Sequence, residues 1–363
     1  MRGREVGVYG LGEWGRIEGM TDYIFDETLA GLTARMAVWG QPGYRAKQVW
    51  QALYGECVSG FAAMTALPTR LREQLAETYA FSHLAVAREL ESTDGETRKV
   101  LFRLPDGQQI ETVLMAYDKR RTLCISTQAG CALGCVFCAT GQMGFRRHLS
   151  VGEIVEQVVY FQRVLKARGE QVTNVVFMGM GEPFHNYENT MGAVDVLTDR
   201  DGLGLGARRL TISTVGLVPQ IERFTAERRQ VNLAVSLHAA TDAERDALLP
   251  VNKRWNIAAV MAACRAYVRE TGRRVTFEWA LIEGETDTPE QAQALAGLLK
   301  GLLCHVNVIP LNPTPGYVGS KSSRERVAAF VAILEAAGVA CTVRMRRGID
   351  IAAGCGQLAA REA

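Results

Sequence analysis

Residues 123–138 read Leu123-Cys124-Ile125-Ser126-Thr127-Gln128-Ala129-Gly130-Cys131-Ala132-Leu133-Gly134-Cys135-Val136-Phe137-Cys138. The apolar run Leu123–Ser126 reads as a strand, and the loop after it carries Cys131, Cys135 and Cys138. Three thiols at spacings of four and three can wrap one small inorganic cluster. Thiolates are the usual iron–sulfur ligands, normally four per cubane. Three of them leave one iron open to a small molecule. Gly130 and Gly134 let the backbone turn tightly around such a group. A structural zinc site is the competing reading. Zinc ribbons, however, favour two Cys-x-x-Cys pairs across a longer spacer, and no second pair exists here.

Downstream, a strand–helix rhythm sets in. β-Branched and aliphatic runs recur at Leu123–Ser126, Asn174–Met178, Arg209–Val215, Asn232–His238, Arg274–Ile282 and His305–Leu311. Helical stretches such as Val151–Arg168 and Pro289–Leu303 separate them. Alternating βα units predict an α/β fold with a parallel sheet and right-handed crossovers. Six units are too few for an eight-stranded barrel, so the expectation is a partial (β/α)6 barrel over 121–358, with its chemistry at the C-terminal strand ends.

Upstream, Lys99–Leu104 and Gln109–Leu114 flank Pro105-Asp106-Gly107, which is hairpin chemistry. This predicts a short β-hairpin over 98–120. Residues 20–97 read as a small helical domain, with one helix opening at Leu67-Pro68. Residues 1–19 are Gly-rich and read as a leader, and 359–363 as a tail.

The chain has 363 residues, 48% of them hydrophobic and 22% charged, with a formal net charge of +2. A basic whole-protein field is therefore absent, and a nucleic-acid partner needs a local patch. The basic groups Lys119-Arg120-Arg121, Arg146-Arg147, Lys253-Arg254 and Arg344, Arg346 and Arg347 are candidates. No run of about 18 uncharged apolar residues predicts a transmembrane helix. No secretory signal stands at the start. Nine cysteines, several clustered, fit metal or redox chemistry in a reducing compartment better than a disulfide framework. A cytoplasmic protein without a membrane partner is expected.

Polar groups recur where strands end. Met178-Gly179-Met180-Gly181-Glu182-Pro183 offers close backbone approach at Gly181 and an acceptor for an ammonium at Glu182. Ser213, then Ser236-Leu237-His238, and Asn312 follow at later strand ends. Taken singly, each is as well explained by backbone capping. Together they form a ring that one ligand pocket explains.

The Cys-x3-Cys-x2-Cys loop, with Phe137 before the last cysteine, resembles the signature of the radical S-adenosylmethionine (SAM) superfamily. The resemblance implies a [4Fe-4S] cluster on Cys131, Cys135 and Cys138, one per subunit, whose open iron binds SAM. It further implies that Gly181, Glu182, Ser213, Ser236, Leu237, His238 and Asn312 cradle the SAM.

Two more cysteines narrow the family. Cys124 precedes the cluster loop, and Cys355 lies in Gly354-Cys355-Gly356-Gln357-Leu358 near the C-terminus. Cys57, Cys264, Cys304 and Cys341 sit in apolar contexts and read as small buried hydrophobes. With Glu111-Thr112-Val113 and Ser236-Leu237-His238, the pattern closely resembles the RlmN-type rRNA/tRNA adenine-C2 methyltransferases over about residues 20–360. One departure is Gly354, where that family commonly has alanine.

That resemblance implies two SAM molecules per product. Cys355 accepts a methyl group, and the one-carbon unit then adds to C2 of an adenine. Cys124 resolves the adduct through a transient disulfide with Cys355, and Glu111 is the proton acceptor. The implied partners are 23S rRNA (adenosine 2503, at the peptidyl transferase centre), tRNA (adenosine 37), and a reducing electron donor such as flavodoxin or ferredoxin. An adenine must be unstacked to enter such a pocket. Two alternatives are Cfr-like methylation of C8 of the same adenine and a non-catalytic Fe–S protein that binds RNA. The second leaves Cys124 and Cys355 without a purpose.

Overall fold

The computed structural model describes residues 22–345 and 347–360. Residues 1–21, which include the leader expected at 1–19, together with Arg346 and residues 361–363, lie outside the described residues.

A ten-stranded mixed sheet organises the chain. Three antiparallel strands come first: β1 (Ala85–Glu91), β2 (Thr97–Arg103) and β3 (Gln109–Tyr117). β4 (Arg120–Cys124) pairs antiparallel with β3 and parallel with β5 (Asn174–Phe177). The parallel run continues through β6 (Leu210–Thr214), β7 (Asn232–Ser236), β8 (Val275–Leu281), β9 (Cys304–Pro310) and β10 (Cys341–Val343). Strand order follows chain order, and β1 and β10 are open edges. The six expected βα strands, β4–β9, form the centre of this sheet, as a partial barrel requires.

Parallel strands are covered on both faces, so they read as continuous apolar runs. Val175, Phe177, Ile212, Val235, Phe277 and Val308 are fully buried. Each such side chain contributes about 1.5–3 kcal/mol of burial.

Three features differ from the expectation. β4 ends at Cys124 because the Ser126 N–H turns away to the Gln157 side chain, 2.8 Å off. Residues 85–91 form a strand, so the expected hairpin is the inner pair of a three-stranded meander whose edge is β1. Ala-Val-Ala-Arg-Glu-Leu-Glu is largely exposed at this edge, so no apolar face marks it. Cys304 and Cys341 are half-buried rather than buried, because they stand at the ends of β9 and β10.

The N-terminal helices are α1 (Leu29–Val38), α2 (Tyr44–Trp50) and α3 (Thr69–Thr78). A short α4 (Ala139–Gln142) follows the cysteine loop. The long helix α5 (Val151–Lys166) starts on a capping box, with Ser150 accepting from the Glu153 N–H and Glu153 reaching back. The remaining helices are α6 (Tyr187–Thr198), α7 (Val218–Glu227), α8 (Asp242–Leu248), α9 (Ile257–Thr271), α10 (Pro289–Leu299) and α11 (Arg324–Ala336).

Leu32, Trp50, Tyr54 and Leu75 belong to the same continuous core as the sheet. The N-terminal segment packs flush on α5. Gly152 donates its N–H to Asp26 at 2.7 Å, and a Cβ there would stand 2.7 Å from the Phe25 backbone. The buried carboxylate of Glu156 accepts from the Tyr23 and Ser82 hydroxyls and from the His83 N–H. Among the described residues no helix is long and apolar enough to cross a membrane.

Candidate active site

The strand ends converge on one central cavity. It is lined by Cys124, Cys135 and Cys138, by Gly181 and Glu182, by Ser213, Ser236, His238 and Asn312, and by Cys355. Cys131 lies at the start of the same loop. The side chain of Leu237 is buried in the core and does not face the cavity. Glu111 does not line it either.

Gly130 stands at φ 73°, and a Cβ there would fall 1.9 Å from the carbonyl oxygen of Gly144. That carbonyl accepts the Cys131 N–H at 3.0 Å, which closes the loop at its base. The Cys138 N–H donates to Cys135 at 3.1 Å, so the last two cysteines share one turn. Burial pushes the Cys131 thiol up to about 12, and burial with Cys138 and Cys131 nearby pushes Cys135 up as well. Thiols so placed must ionise to ligate a metal group. Among the described residues no three thiol, carboxylate or imidazole groups converge tightly enough for a single metal ion. Three cysteine thiols carried on one loop are the donor set that an iron–sulfur cluster takes.

Glu182 is buried at the end of β5. Its oxygens accept the Val215 N–H at 2.9 Å and the Phe184 N–H at 3.1 Å. Burial outweighs these donors and raises its carboxyl to about 7. The donors around it are N–H and hydroxyl groups, not a cation, so an ammonium fits the site. Gly181 (φ 102°) places the turn against Gln128, where a Cβ would meet the Gln128 side chain at 2.6 Å. The Ala280 N–H donates to His238 Nδ1 at 2.9 Å. Burial, then the Arg245 charge, lowers this imidazole to about 3, so it is neutral. The fully buried Arg245 ties the strand ends together, donating to the carbonyls of Val215 at 2.6 Å and Leu237 at 3.1 Å. Leu237 thus meets its neighbours here through its backbone carbonyl, which Arg245 holds.

Cys124, at the end of β4, and Cys355, near the C-terminus, both line this cavity. Cys355 is solvent-accessible yet deep, because the surface it presents is cavity wall. Asn312 Nδ2 donates to the Cys355 carbonyl at 3.1 Å. The Ala139 N–H, beside the cluster loop, donates to Gly356 at 2.8 Å. Burial raises both thiols, Cys124 to about 12, while the Arg344 guanidinium pulls both back.

Sequence reasoning missed Glu278, Ser126 and Gln157, and treated Arg344 only as a surface cation. Arg344 and Glu278 line the cavity. Ser126 Oγ donates to the Glu111 carbonyl at 2.7 Å and accepts the Met180 N–H at 2.9 Å. It thereby joins the Glu111 strand to the Gly181–Glu182 turn. No spacing rule marks a single serine for that role.

The basic groups divide. Arg121 is paired with Glu170, Arg147 with Asp106 and Glu153, and Arg347 with Glu96. Arg120 and Arg254 lie over the rings of Tyr117 and Trp255, 4.2 and 4.6 Å from their centroids. Lys119, Arg146 and Lys253 are exposed.

Residues 125–296 match the radical SAM superfamily, and residues 24–80 match the ribosomal RNA large subunit methyltransferase N-terminal domain. A dual-specificity RNA methyltransferase RlmN of Myxococcus xanthus is 54% identical over 337 residues, 93% of this chain and 94% of that protein. A probable RlmN of Chloroflexus aurantiacus is 51% identical over 93% of each chain. A solved radical SAM methyltransferase from Sphaerobacter thermophilus is 52% identical, with TM-score 0.92, covering 94% of this chain and 100% of its own. The cysteine loop, the ring of strand-end polar groups and these likenesses agree, and the chain belongs to the RlmN family of radical SAM RNA methyltransferases.

Proposed function

We propose that this chain methylates C2 of an adenine in RNA, with adenosine 2503 of 23S rRNA and adenosine 37 of tRNAs as its targets. The observation that carries this reading is that Cys124 and Cys355 open into the cavity formed by the cluster loop and the SAM-type strand ends. When bound, the [4Fe-4S] cluster and SAM supply a methyl group and one-electron chemistry at carbon.

Cys131, Cys135 and Cys138 hold the cluster. Glu182 takes the SAM ammonium, and Ser213, Ser236, His238, Asn312 and the backbone at Gly181 and Leu237 complete the cradle. Cys355, as a thiolate, accepts a methyl group and presents it to the adenine. C2 of adenine is electron-poor, so direct nucleophilic capture of a methyl by that carbon fails. A protein-bound one-carbon unit removes the difficulty. Glu111 accepts the C2 proton. The Cys124 thiolate then attacks the Cys355 sulfur and the sulfur–carbon bond breaks. Its electrons go to the leaving carbon, which takes up a proton to become methyl, and a Cys124–Cys355 disulfide remains. A low-potential donor such as flavodoxin or ferredoxin supplies electrons. Exposed Lys119, Arg146 and Lys253 are the candidate phosphate contacts. The setting is cytoplasmic, where thiols stay reduced.

The test is mass spectrometry of nucleosides from 23S rRNA and tRNA treated with the reconstituted enzyme and SAM. 2-Methyladenosine is expected. 8-Methyladenosine, or no modified adenosine from an enzyme that cleaves SAM, overturns the reading.

A further inference from the structure

Glu111 and Cys355 face different cavities. Glu111 sits on β3, 2% exposed, beside a second cavity walled by Leu90, Lys99, Leu101 and Pro313. The C-terminal segment runs between the two. Ala353, Gly354, Cys355 and Gly356 line the central cavity, while Ile351, Ala352 and Ala359 line the second. An adenine that must meet both Glu111 and the carbon carried by Cys355 can do so only after this wall shifts.

One buried ion pair holds the wall on both sides of Cys355. Lys99 Nζ lies 2.9 Å from Glu111 Oε1. Lys99 Nζ also donates to the carbonyl of Ala352 at 3.2 Å, and Glu111 Oε2 accepts the Ala359 N–H at 3.0 Å. β2 and β3 pair with Lys99 opposite Val113 and Leu101 opposite Glu111, so the pair is a cross-strand diagonal on one face. A buried pair offsets its desolvation only when its remaining donors and acceptors are also satisfied. Here the segment's backbone satisfies them. Ala352 stands at φ 50°, a conformation that a non-glycine residue keeps only where its surroundings hold it.

We propose that Lys99 is a positioning residue, and that the Lys99–Glu111 pair is a latch on the Cys355 segment. Latched, the segment presents Cys355 to the central cavity and screens Glu111 from a base. Unlatching gives up the Ala359–Glu111 bond, so release of the arm and exposure of Glu111 to the adenine are one event. The proposal deepens the function given above and rests on its roles for Glu111 and Cys355.

The test is hydrogen–deuterium exchange on the full-length, cluster-reconstituted protein, followed in peptides spanning 348–360. Lys99→Met and Glu111→Gln should each speed exchange there about tenfold or more, the scale for losing one buried, charge-assisted bond. The double variant should add nothing further, because both changes open one latch. Lys99→Arg should restore most of the protection. Peptides from β7–β9 should stay unchanged in all variants, which separates unlatching from general loosening. If Lys99→Met alone fails to fold, the double variant, which leaves no lone buried charge, carries the comparison. Unchanged exchange over 348–360, acceleration equal to that of the core strands, or additive single effects would each overturn the latch. None of these readouts needs RNA or turnover. A latch that behaves as expected in an enzyme making no methyladenosine overturns the proposed function alone. Methyladenosine from an enzyme lacking the exchange response overturns the latch alone.

Discussion

Replacing Cys124 with alanine separates product release from every earlier step. The sulfur lies at the end of β4, 8% exposed, and its removal costs about 1 kcal/mol of packing. In a chain of this size that lowers Tm by only about 2 °C. The chemical consequence is far larger. Alanine cannot attack the Cys355 sulfur, so the enzyme should accumulate as a covalent adduct with RNA. The wild-type step carries a second signature. Burial, with Arg344 opposing it, sets the Cys124 thiol at about 12. At pH 8 only about one molecule in ten thousand then carries the thiolate, and that fraction rises about tenfold per pH unit. Release of methylated RNA, measured by acid quench of a single turnover, should therefore rise about tenfold per unit from pH 7 to 9. Arg344→Met removes the cation that favours the thiolate, so it should slow release at each pH and keep the slope. The adduct assay is a denaturing gel of Cys124→Ala expressed in cells. Slow bands that nuclease removes, and that vanish in Cys124→Ala/Cys355→Ala, are expected. Normal methyladenosine yield from Cys124→Ala, with no adduct, would refute this role.

Glu182 gives a pH dependence of SAM binding. Its carboxyl stands near 7 because it is buried, and a bound ammonium favours the ionised form. Affinity should rise about eightfold from pH 6 to 7.5, with proton release visible by titration calorimetry in buffers of different ionisation enthalpy. A flat profile, or the same proton release in Glu182→Gln, would contradict it. The raised carboxyl also means that the unliganded fold binds this proton more tightly than the unfolded chain. Its contribution to stability should thus fall as pH climbs from the ordinary carboxyl value of 4.5 through about 7. Gly130→Ala places a methyl 1.9 Å from the Gly144 oxygen at φ 73°. Iron and sulfide per chain should drop several-fold while the circular dichroism of the fold persists, and full iron content would count against the loop geometry. Gly152→Ala drives a methyl to within 2.5 Å of the Tyr23 ring and 2.7 Å of the Phe25 backbone. The cost should be about 1–3 kcal/mol, read as a lower Tm; an unchanged Tm would show that the N-terminal segment does not bear on α5.

The cysteine loop, the six βα strands and the turn at Pro105-Asp106-Gly107 were legible in the sequence because their signals are local. Thiol spacing, a period of apolar residues and turn chemistry act over a few residues, and tertiary packing has little freedom to overrule them. β1 was not legible, because an edge strand with both faces wet needs no apolar alternation. The resemblance named Cys124, Cys355 and Glu111, yet it could not tell which of them share a cavity. Only the folded chain separates Glu111 from Cys355, by laying residues 348–360 across the top of the sheet. The same holds for Arg344, Glu278 and Arg245, which are ordinary charged residues in the sequence. Their surroundings come from strands far apart in the chain, and burial next to thiols, strand ends or carbonyls is decided by those long-range contacts. The sequence by itself thus determined the cluster loop and the architecture that carries it. Tertiary structure decided which polar groups meet, because a contact between Lys99 and the carbonyl of Ala352 depends on how the whole sheet brings two distant segments together.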